Sequence, residues 1–349
     1  MIGSVWRSSF PDVRVTPALL DAEVLAALDV RPASVAVVDA ASGRSLTRGQ
    51  LADGARRLAA GLRGIRVGET VAVVAANSAD YAVVLYGALA AGAAVAQANP
   101  ALTGGELARQ FARTRPRLVV ADARAYPAVR EAAGVPVLGL GPVDGVPPVA
   151  DLLASGGPPP AGRGADDIAL LVNSSGTSGT PKTVVHTHAS TTAFLQLFAT
   201  VPAVRFGPGD TVGLVVPFSH LYGSAMLSHS LRSGARVATA TLAPGDLEGF
   251  LRMVQQHAVT VAPVTPPLLL ALARHPLVGR YDLSSLRLLV NGAAPLPRGV
   301  DAAVEDRLGC PVVDTLGATE SWAHAPPADP PVRGSAPGRR ASCGCAARS

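Results

Sequence analysis

Asp167–Asn173 is an apolar run of strand length that passes without a break into Ser174-Ser175-Gly176-Thr177-Ser178-Gly179-Thr180-Pro181-Lys182-Thr183. This junction constrains the fold more than any other segment. A strand that feeds a loop of small and hydroxylated residues belongs at the C-terminal edge of an open α/β sheet, where such sheets bind ligands. The loop also carries the chain's single lysine, Lys182, while every other positive side chain apart from histidine is arginine. A compact, flexible ammonium does what a planar guanidinium fork does not. Backbone N–H groups and hydroxyls of such a loop can converge on one anion, and the ammonium can reach the outer oxygens of a polyphosphate as a point charge. The residues read as a nucleotide-phosphate loop.

The pattern on both sides supports an α/β class. Before the loop, Thr70–Ala75, Ala93–Gln97, Arg117–Ala121 and Pro136–Leu140 read as strands. They alternate with helices at Ser78–Ala91 (Ser78 as N-cap), Gly105–Arg115 and Tyr126–Ala133. Asp144–Gly164, rich in Pro and Gly, reads as a linker or long surface loop. After the loop, strands at Thr211–Val216, Arg236–Ala240, Thr260–Ala262, Leu286–Asn291 and Pro311–Thr315 alternate with helices. Those helices are Leu221–Arg232, Leu247–Gln256, Pro266–Arg274 and Val300–Leu308. Repeated βα units imply parallel sheets with helices on both faces. Two similar doubly wound units are expected.

Composition narrows the function classes. The 349 residues are 48% hydrophobic but only 4% aromatic, so the core is built from Ala, Val and Leu. Charged residues make up 16%, below the usual share of about 25%, which suits buried α/β layers. The net charge of +5 comes from scattered arginines with no interleaved aromatics, so nucleic acid is not an expected partner. Three cysteines, Cys310, Cys343 and Cys345, form no disulfide framework, and a cytoplasmic setting is expected. Residues 1–12 contain no apolar signal region. The apolar stretch Tyr81–Ala96 falls short of the ~20 residues that span a bilayer, so it reads as buried helix plus strand.

A Walker A loop is a near miss: Gly176, Lys182 and Thr183 are correctly spaced, but Pro181 precedes the lysine. Proline has no N–H to offer a phosphate and holds φ at about −65°. The run SSGTSGTPK instead resembles the phosphate loop of the adenylate-forming enzymes, the family of acyl-CoA synthetases, luciferases and peptide-synthetase adenylation domains. Four further segments resemble that family in the expected order. They are Thr187-His188; Pro217-Phe218-Ser219-His220-Leu221-Tyr222-Gly223; Asn291-Gly292-Ala293-Ala294-Pro295-Leu296; and Leu316-Gly317-Ala318-Thr319-Glu320. Trp6–Asp12 and Tyr281–Leu286 are most similar to the 4-coumarate–CoA ligase branch. The resemblance covers residues 5 to about 335.

The resemblance implies an ATP-dependent carboxylate–CoA ligase. A carboxylate attacks the α-phosphate of ATP, giving acyl-AMP and pyrophosphate, and CoA thiolysis follows. Carried over by position, Ser174, Ser175, Gly176, Thr177, Ser178, Gly179 and Lys182 would hold the phosphates. Gly292, Ala293, Ala294, Leu316 and Gly317 would border the nucleotide. Thr319 would contact the α-phosphate, and Glu320 would coordinate Mg²⁺. His220, Tyr222 and Met226 would border the acyl group of an aromatic or fatty acid. Lys182, Thr319, Glu320 and His220 are the implied catalytic group. In isolation His220 reads as a structural histidine, Glu320 as a solvated acid and Met226 as core. His186 and His188, two apart on an expected strand, lack a third ligand.

The sequence also departs from the family. Leu316 stands where the family has a tyrosine on adenine, and Thr183 where it has glycine. No barrel, ribose aspartate, hinge or lid lysine follows Glu320. The expected organisation is an incomplete AMP-binding N-terminal domain at 1–335 and an aberrant or disordered tail at 336–349. The lid domain is expected to be absent, with a partner protein supplying it. Three readings stay open: a ligase or its N-terminal portion, a truncated pseudoenzyme that still binds nucleotide or acyl groups, and a non-enzymatic partner module.

Overall fold

The structure, a computed structural model, describes residues 12–153, 160–174, 182–243 and 245–324. Helix α1 (Leu20–Asp29) precedes a hairpin of β1 (Val35–Asp39) and β2 (Ser45–Thr47). Helix α2 (Arg48–Gly61) then leads into β3 (Thr70–Val74), α3 (Ala79–Ala90), β4 (Ala94–Ala98), α4 (Gly104–Thr114), β5 (Pro116–Ala121), α5 (Tyr126–Ala132) and β6 (Val137–Gly139). Next come β7 (Ile168–Ser174), β8 (Lys182–Thr187) and α6 (His188–Phe198). The chain continues through β9 (Thr211–Leu214), α7 (Leu221–Ser233), β10 (Arg236–Thr239), α8 (Leu247–His257) and β11 (Val261–Val264). It goes on to α9 (Pro266–Arg274), β12 (Leu288–Asn291), α10 (Val300–Leu308) and β13 (Val312–Asp314). A further hairpin pairs β14 (Leu316–Ala318) with β15 (Trp322–His324).

Two parallel-dominated sheets result. One runs β6-β5-β3-β4-β7-β8 and the other β13-β12-β11-β9-β10-β1-β2, each closed at one edge by an antiparallel strand, β8 or β2. The period of two along the strands explains the layering. Val71, Val73 and Val95 face one core, while Ala72, Val74, Ala94, Ala96 and Ala98 face another. The shared core lies between the sheets and takes in α1, α2, α3, α6 and α7; α4 and α5 cover the outside of the first sheet. Helices α8, α9 and α10 cover the outside of the second sheet. Five layers, αβαβα, follow from alternating faces on two sheets.

Chain order and sheet membership do not coincide. β1 and β2, at the start, belong to the second sheet, beside β10. β7, after the Pro/Gly-rich stretch, returns to the first sheet beside β4. The 144–164 stretch is therefore not a linker between the two units. Its 3₁₀ turn Val149–Leu152 lies against Gly61, where a Cβ would stand 1.7 Å from the Leu152 carbonyl. Arg163 from the same region forms a buried ion pair with Asp21 at 3.0 Å. The expected strand carrying both His186 and His188 ends at Thr187, whose side chain accepts the Ser190 N–H and caps α6. His188 is the first residue of that helix, and its Nδ1 accepts the Leu20 N–H at 3.0 Å.

Candidate nucleotide and acyl site

Four loops build the site, each at the C-terminal end of a parallel strand. The first leaves β7. Ser174 and Lys182 are register partners across the antiparallel β7–β8 pair, so the seven residues between them start and return at the same point on the sheet edge. Ser175, Gly176, Thr177, Ser178 and Gly179 lie outside the described residues. Lys182 is exposed and Ser174 buried. Behind the loop, Thr183 Oγ1 donates to Asn173 Oδ1 at 2.8 Å. A β-branched residue is at home on this strand, and its hydroxyl fixes the orientation of the Asn173 amide.

The second loop joins β9 to α7 and carries Pro217–His220. Gly223 is required for its tight path: a Cβ there would lie 2.1 Å from the Pro217 carbonyl. Phe218 is fully buried and packs edge-on against Tyr81 at 5.6 Å between centroids. His220 is the N-cap of α7, its Nδ1 accepting the Tyr222 N–H at 3.3 Å. That bond leaves the proton of the neutral ring on Nε2, and desolvation pulls the His220 pKa below its ordinary value. The Tyr222 hydroxyl donates to the Val290 carbonyl at 2.6 Å, and burial raises its pKa.

The third loop follows β12. Gly292 is buried beneath the Tyr222 ring, where a Cβ would be 2.9 Å from the ring carbon Cζ. Ala293 takes φ 71°, in the left-handed region that costs an alanine roughly 1–2 kcal/mol. Strain of this kind gathers at functional loops. Asn291 holds the strand ends together, its amide donating to Asp314 Oδ1 at 2.7 Å while the Thr315 hydroxyl donates to the Asn291 carbonyl at 2.6 Å.

The fourth loop follows β4 and enters α4 through Asn99, Leu102 and a Thr103–Glu106 capping box. Together the four loops enclose a cleft of about 790 Å³, lined by Ser174, His220, Tyr222 and Ala293 among the sequence-derived residues. Gln97, Asn99, Glu106, Arg109, Gln110, Arg113, Asn173 and Thr265 line it as well and were not singled out from the sequence. Gln97 had a signal: a lone amide at the end of an apolar strand. The α4 residues had none, because an exposed-looking helical polar face reads as solvated.

The remaining residues are placed elsewhere. Met226 is buried in the core and does not line the cleft; its fourth-residue spacing from Tyr222 reflects core packing. Lys182, Gly292, Ala294, Leu316, Gly317, Thr319 and Glu320 do not line it either. Thr319 and Glu320 form the turn of the β14–β15 hairpin, with Ser321 N–H donating to the Ala318 carbonyl at 3.1 Å. Leu316 on β14 is 64% exposed, so it stacks on no protein surface. The Thr319 backbone and Glu320 charge lie beside buried His186 of β8, which ties the hairpin to the loop-bearing strand; desolvation outweighs both and lowers the His186 pKa. Among the described residues no cluster of three His, Cys, Asp or Glu side chains could hold a metal. Glu320 alone suits Mg²⁺ that takes most of its oxygens from phosphates and water.

A family model described as "AMP-binding enzyme" matches residues 25–348. The chain belongs to this AMP-binding enzyme family. Its relatives include the 4-coumarate–CoA ligase-like 9 protein of Oryza sativa subsp. japonica, 35% identical over 335 residues, covering 90% of this chain and 60% of the relative. The chain thus spans well under two thirds of that relative's length. A red-emitting luciferase of Phrixothrix hirtus superposes with a TM-score of 0.80 at 23% identity, covering 89% of this chain and 63% of the other. A benzoate CoA ligase of Burkholderia xenovorans gives 0.76 at 24% identity, covering 86% and 61%. Both likenesses establish the AMP-binding fold seen here. No helix among the described residues is long and apolar enough to cross a membrane.

Proposed function

We propose that this chain is the nucleotide- and acyl-binding part of an ATP-dependent carboxylate–CoA ligase that acts on an aromatic or fatty acid in the cytoplasm. One observation carries the reading. The cleft gathers strand ends from both sheets and is bordered by Ser174, His220 and Tyr222, and Lys182 is the register partner of Ser174 across the β7–β8 pair. ATP supplies the activated phosphoryl centre and Mg²⁺ spreads its charge; CoA is the acyl acceptor. Lys182 would neutralise the outer phosphates, and Thr319 and Glu320, on the hairpin tied to His186, would meet the α-phosphate and the metal. His220 and Tyr222 would orient the carboxylate for in-line attack, which is mostly a matter of positioning and charge stabilisation. The 4-coumarate–CoA ligase-like relative supports an aromatic acid.

Exchange of labelled pyrophosphate into ATP by the purified chain tests this, using a panel of aromatic and fatty acids. Exchange that depends on the added acid is the expected result. ATP binding without exchange under any acid would favour a binding module, and no ATP binding would overturn the reading.

A further inference from the structure

Gln97 reaches from the first sheet to the chain on both sides of His220. It lies on β4, 1% exposed, and its Nε2 donates to the Phe218 carbonyl at 2.9 Å. The same nitrogen lies 3.2 Å from the Ser224 hydroxyl and 3.2 Å from the Tyr81 hydroxyl. Phe218 precedes His220, and Ser224 follows it in the first turn of α7, its N–H donating to the His220 carbonyl at 3.0 Å. One amide therefore brackets the N-cap. Asn77 holds only residues before His220, the Phe218 N–H and the Val216 carbonyl. Gln97 is itself held, since Gln110 Nε2 donates to its backbone carbonyl at 3.0 Å. It is also the register partner of Val172 on β7, the strand that ends at Ser174.

The other end of the amide is a liability. A backbone carbonyl only accepts, so Nε2 is fixed on Phe218, and Oε1 is left buried with no hydrogen-bond partner among the described residues. An unmet buried acceptor costs stability, which an apolar side chain of the same length would not. We propose that Gln97 is a positioning residue for the ligase reaction, setting His220 against the phosphate loop across the boundary between the two sheets. Its catalytic consequence rests on the ligase reading, because attack on the α-phosphate requires the carboxylate beside His220 and the phosphates beside Ser174 to meet in register. A misplacement of about 1 Å in such a reaction costs on the order of 100-fold in rate.

The test compares Gln97→Met with Tyr86→Phe in the full chain carrying isotope-labelled histidine. Tyr86→Phe removes a buried 3.0 Å hydrogen bond to Ser228 Oγ, farther along α7, and is the control for a tie that only stabilises. In the parent chain the His220 ring, assigned by the loss of its signals in His220→Asn, should hold the single tautomer that the Tyr222 N–H imposes on Nδ1. In Gln97→Met its two ring-nitrogen shifts should converge toward those of a mixture of tautomers, with the His188 and His257 shifts unchanged. Tyr86→Phe should leave all three as in the parent. Acid-dependent pyrophosphate exchange by Gln97→Met should lose about 10- to 100-fold in kcat, with KM for ATP within about twofold of the parent, while Tyr86→Phe keeps the parent kcat. An unchanged His220 ring in folded Gln97→Met overturns the proposal, and so does a kcat no lower than that of Tyr86→Phe. If Gln97→Met does not fold, Gln97→Asn, one methylene too short to reach the carbonyl, takes its place; if neither folds, Gln97 serves the core alone and the proposal fails. A parent chain that exchanges nothing under any acid counts against the ligase reading, and the ring shifts then decide the positioning alone.

Discussion

Asn77 grips the backbone around Phe218 with both ends of its amide: Oδ1 accepts the Phe218 N–H at 2.7 Å and Nδ2 donates to the Val216 carbonyl at 2.9 Å. Asn77 follows β3 of the first sheet, and Phe218 follows β9 of the second. The clamp therefore joins the two sheets beside the cleft and sets the loop that carries His220.

Asn77→Ala should expose the importance of that clamp. It leaves a buried N–H and a buried carbonyl unpaired, each worth about 1–3 kcal/mol. A loss of roughly 2–4 kcal/mol in urea unfolding is expected, with Asn77→Asp intermediate because it keeps the acceptor. A loss below about 0.5 kcal/mol, the range of ordinary surface changes, would mean that the sheets are held together elsewhere.

Gly223→Ala should disable the His220 loop, since its Cβ would collide with the Pro217 and Val216 carbonyls. Gly279→Ala, where a Cβ meets nothing within 4 Å and φ is negative, is the control and should be neutral. Comparable melting temperatures for the two variants would contradict the tight-turn account.

Lys182 is exposed at the start of β8, so Lys182→Ala should leave thermal unfolding unchanged. ATP affinity measured by calorimetry should fall at least about tenfold, the scale of one charge-assisted contact. His188→Ala should do the reverse, because His188 is 2% exposed and its Nδ1 accepts the Leu20 N–H. Unchanged ATP affinity in Lys182→Ala would sink the phosphate assignment.

His229 gives the fold an acid sensitivity. It is buried between Phe198 and Phe206, with neither ring nitrogen hydrogen-bonded among the described residues, and desolvation pulls its pKa down to about 4. As pH falls below the unfolded value of about 6.5, the unfolded chain takes up a proton that the folded chain refuses, so stability drops until the folded value is reached. Between pH 7 and 5 the loss should approach about 2 kcal/mol from this residue. His188, His220 and His257 are shifted in the same direction and add to it. His229→Leu should flatten the pH dependence of urea unfolding; an unaltered slope would show that His229 is protonated in the folded protein.

Strand and helix identity was largely legible in the sequence. Pro266–Arg274 and Val300–Leu308 coincide with α9 and α10, and Ser78 caps α3 by accepting the Tyr81 N–H. Helix α6 was not legible, because His186 and His188 read as residues of one strand and the polar first turn of α6 offers no apolar period before Phe194. Ser174, His220, Tyr222 and Ala293 were singled out through segments that resemble the adenylate-forming family, and all four line the cleft.

The sequence by itself determined the α/β class, the position of the loop at the end of β7 and the unique lysine beside it, since periodicity and backbone restrictions act over a few residues. Only the tertiary structure decided that β1 joins β10 in the second sheet while β7 returns to β4 in the first. It also decided that Met226 is core and that Gln97 and Gln110 share a cleft wall. Those outcomes depend on which apolar faces meet across the central helical layer. Burial against a distant segment is a property of the packed chain, and no short window of sequence encodes it.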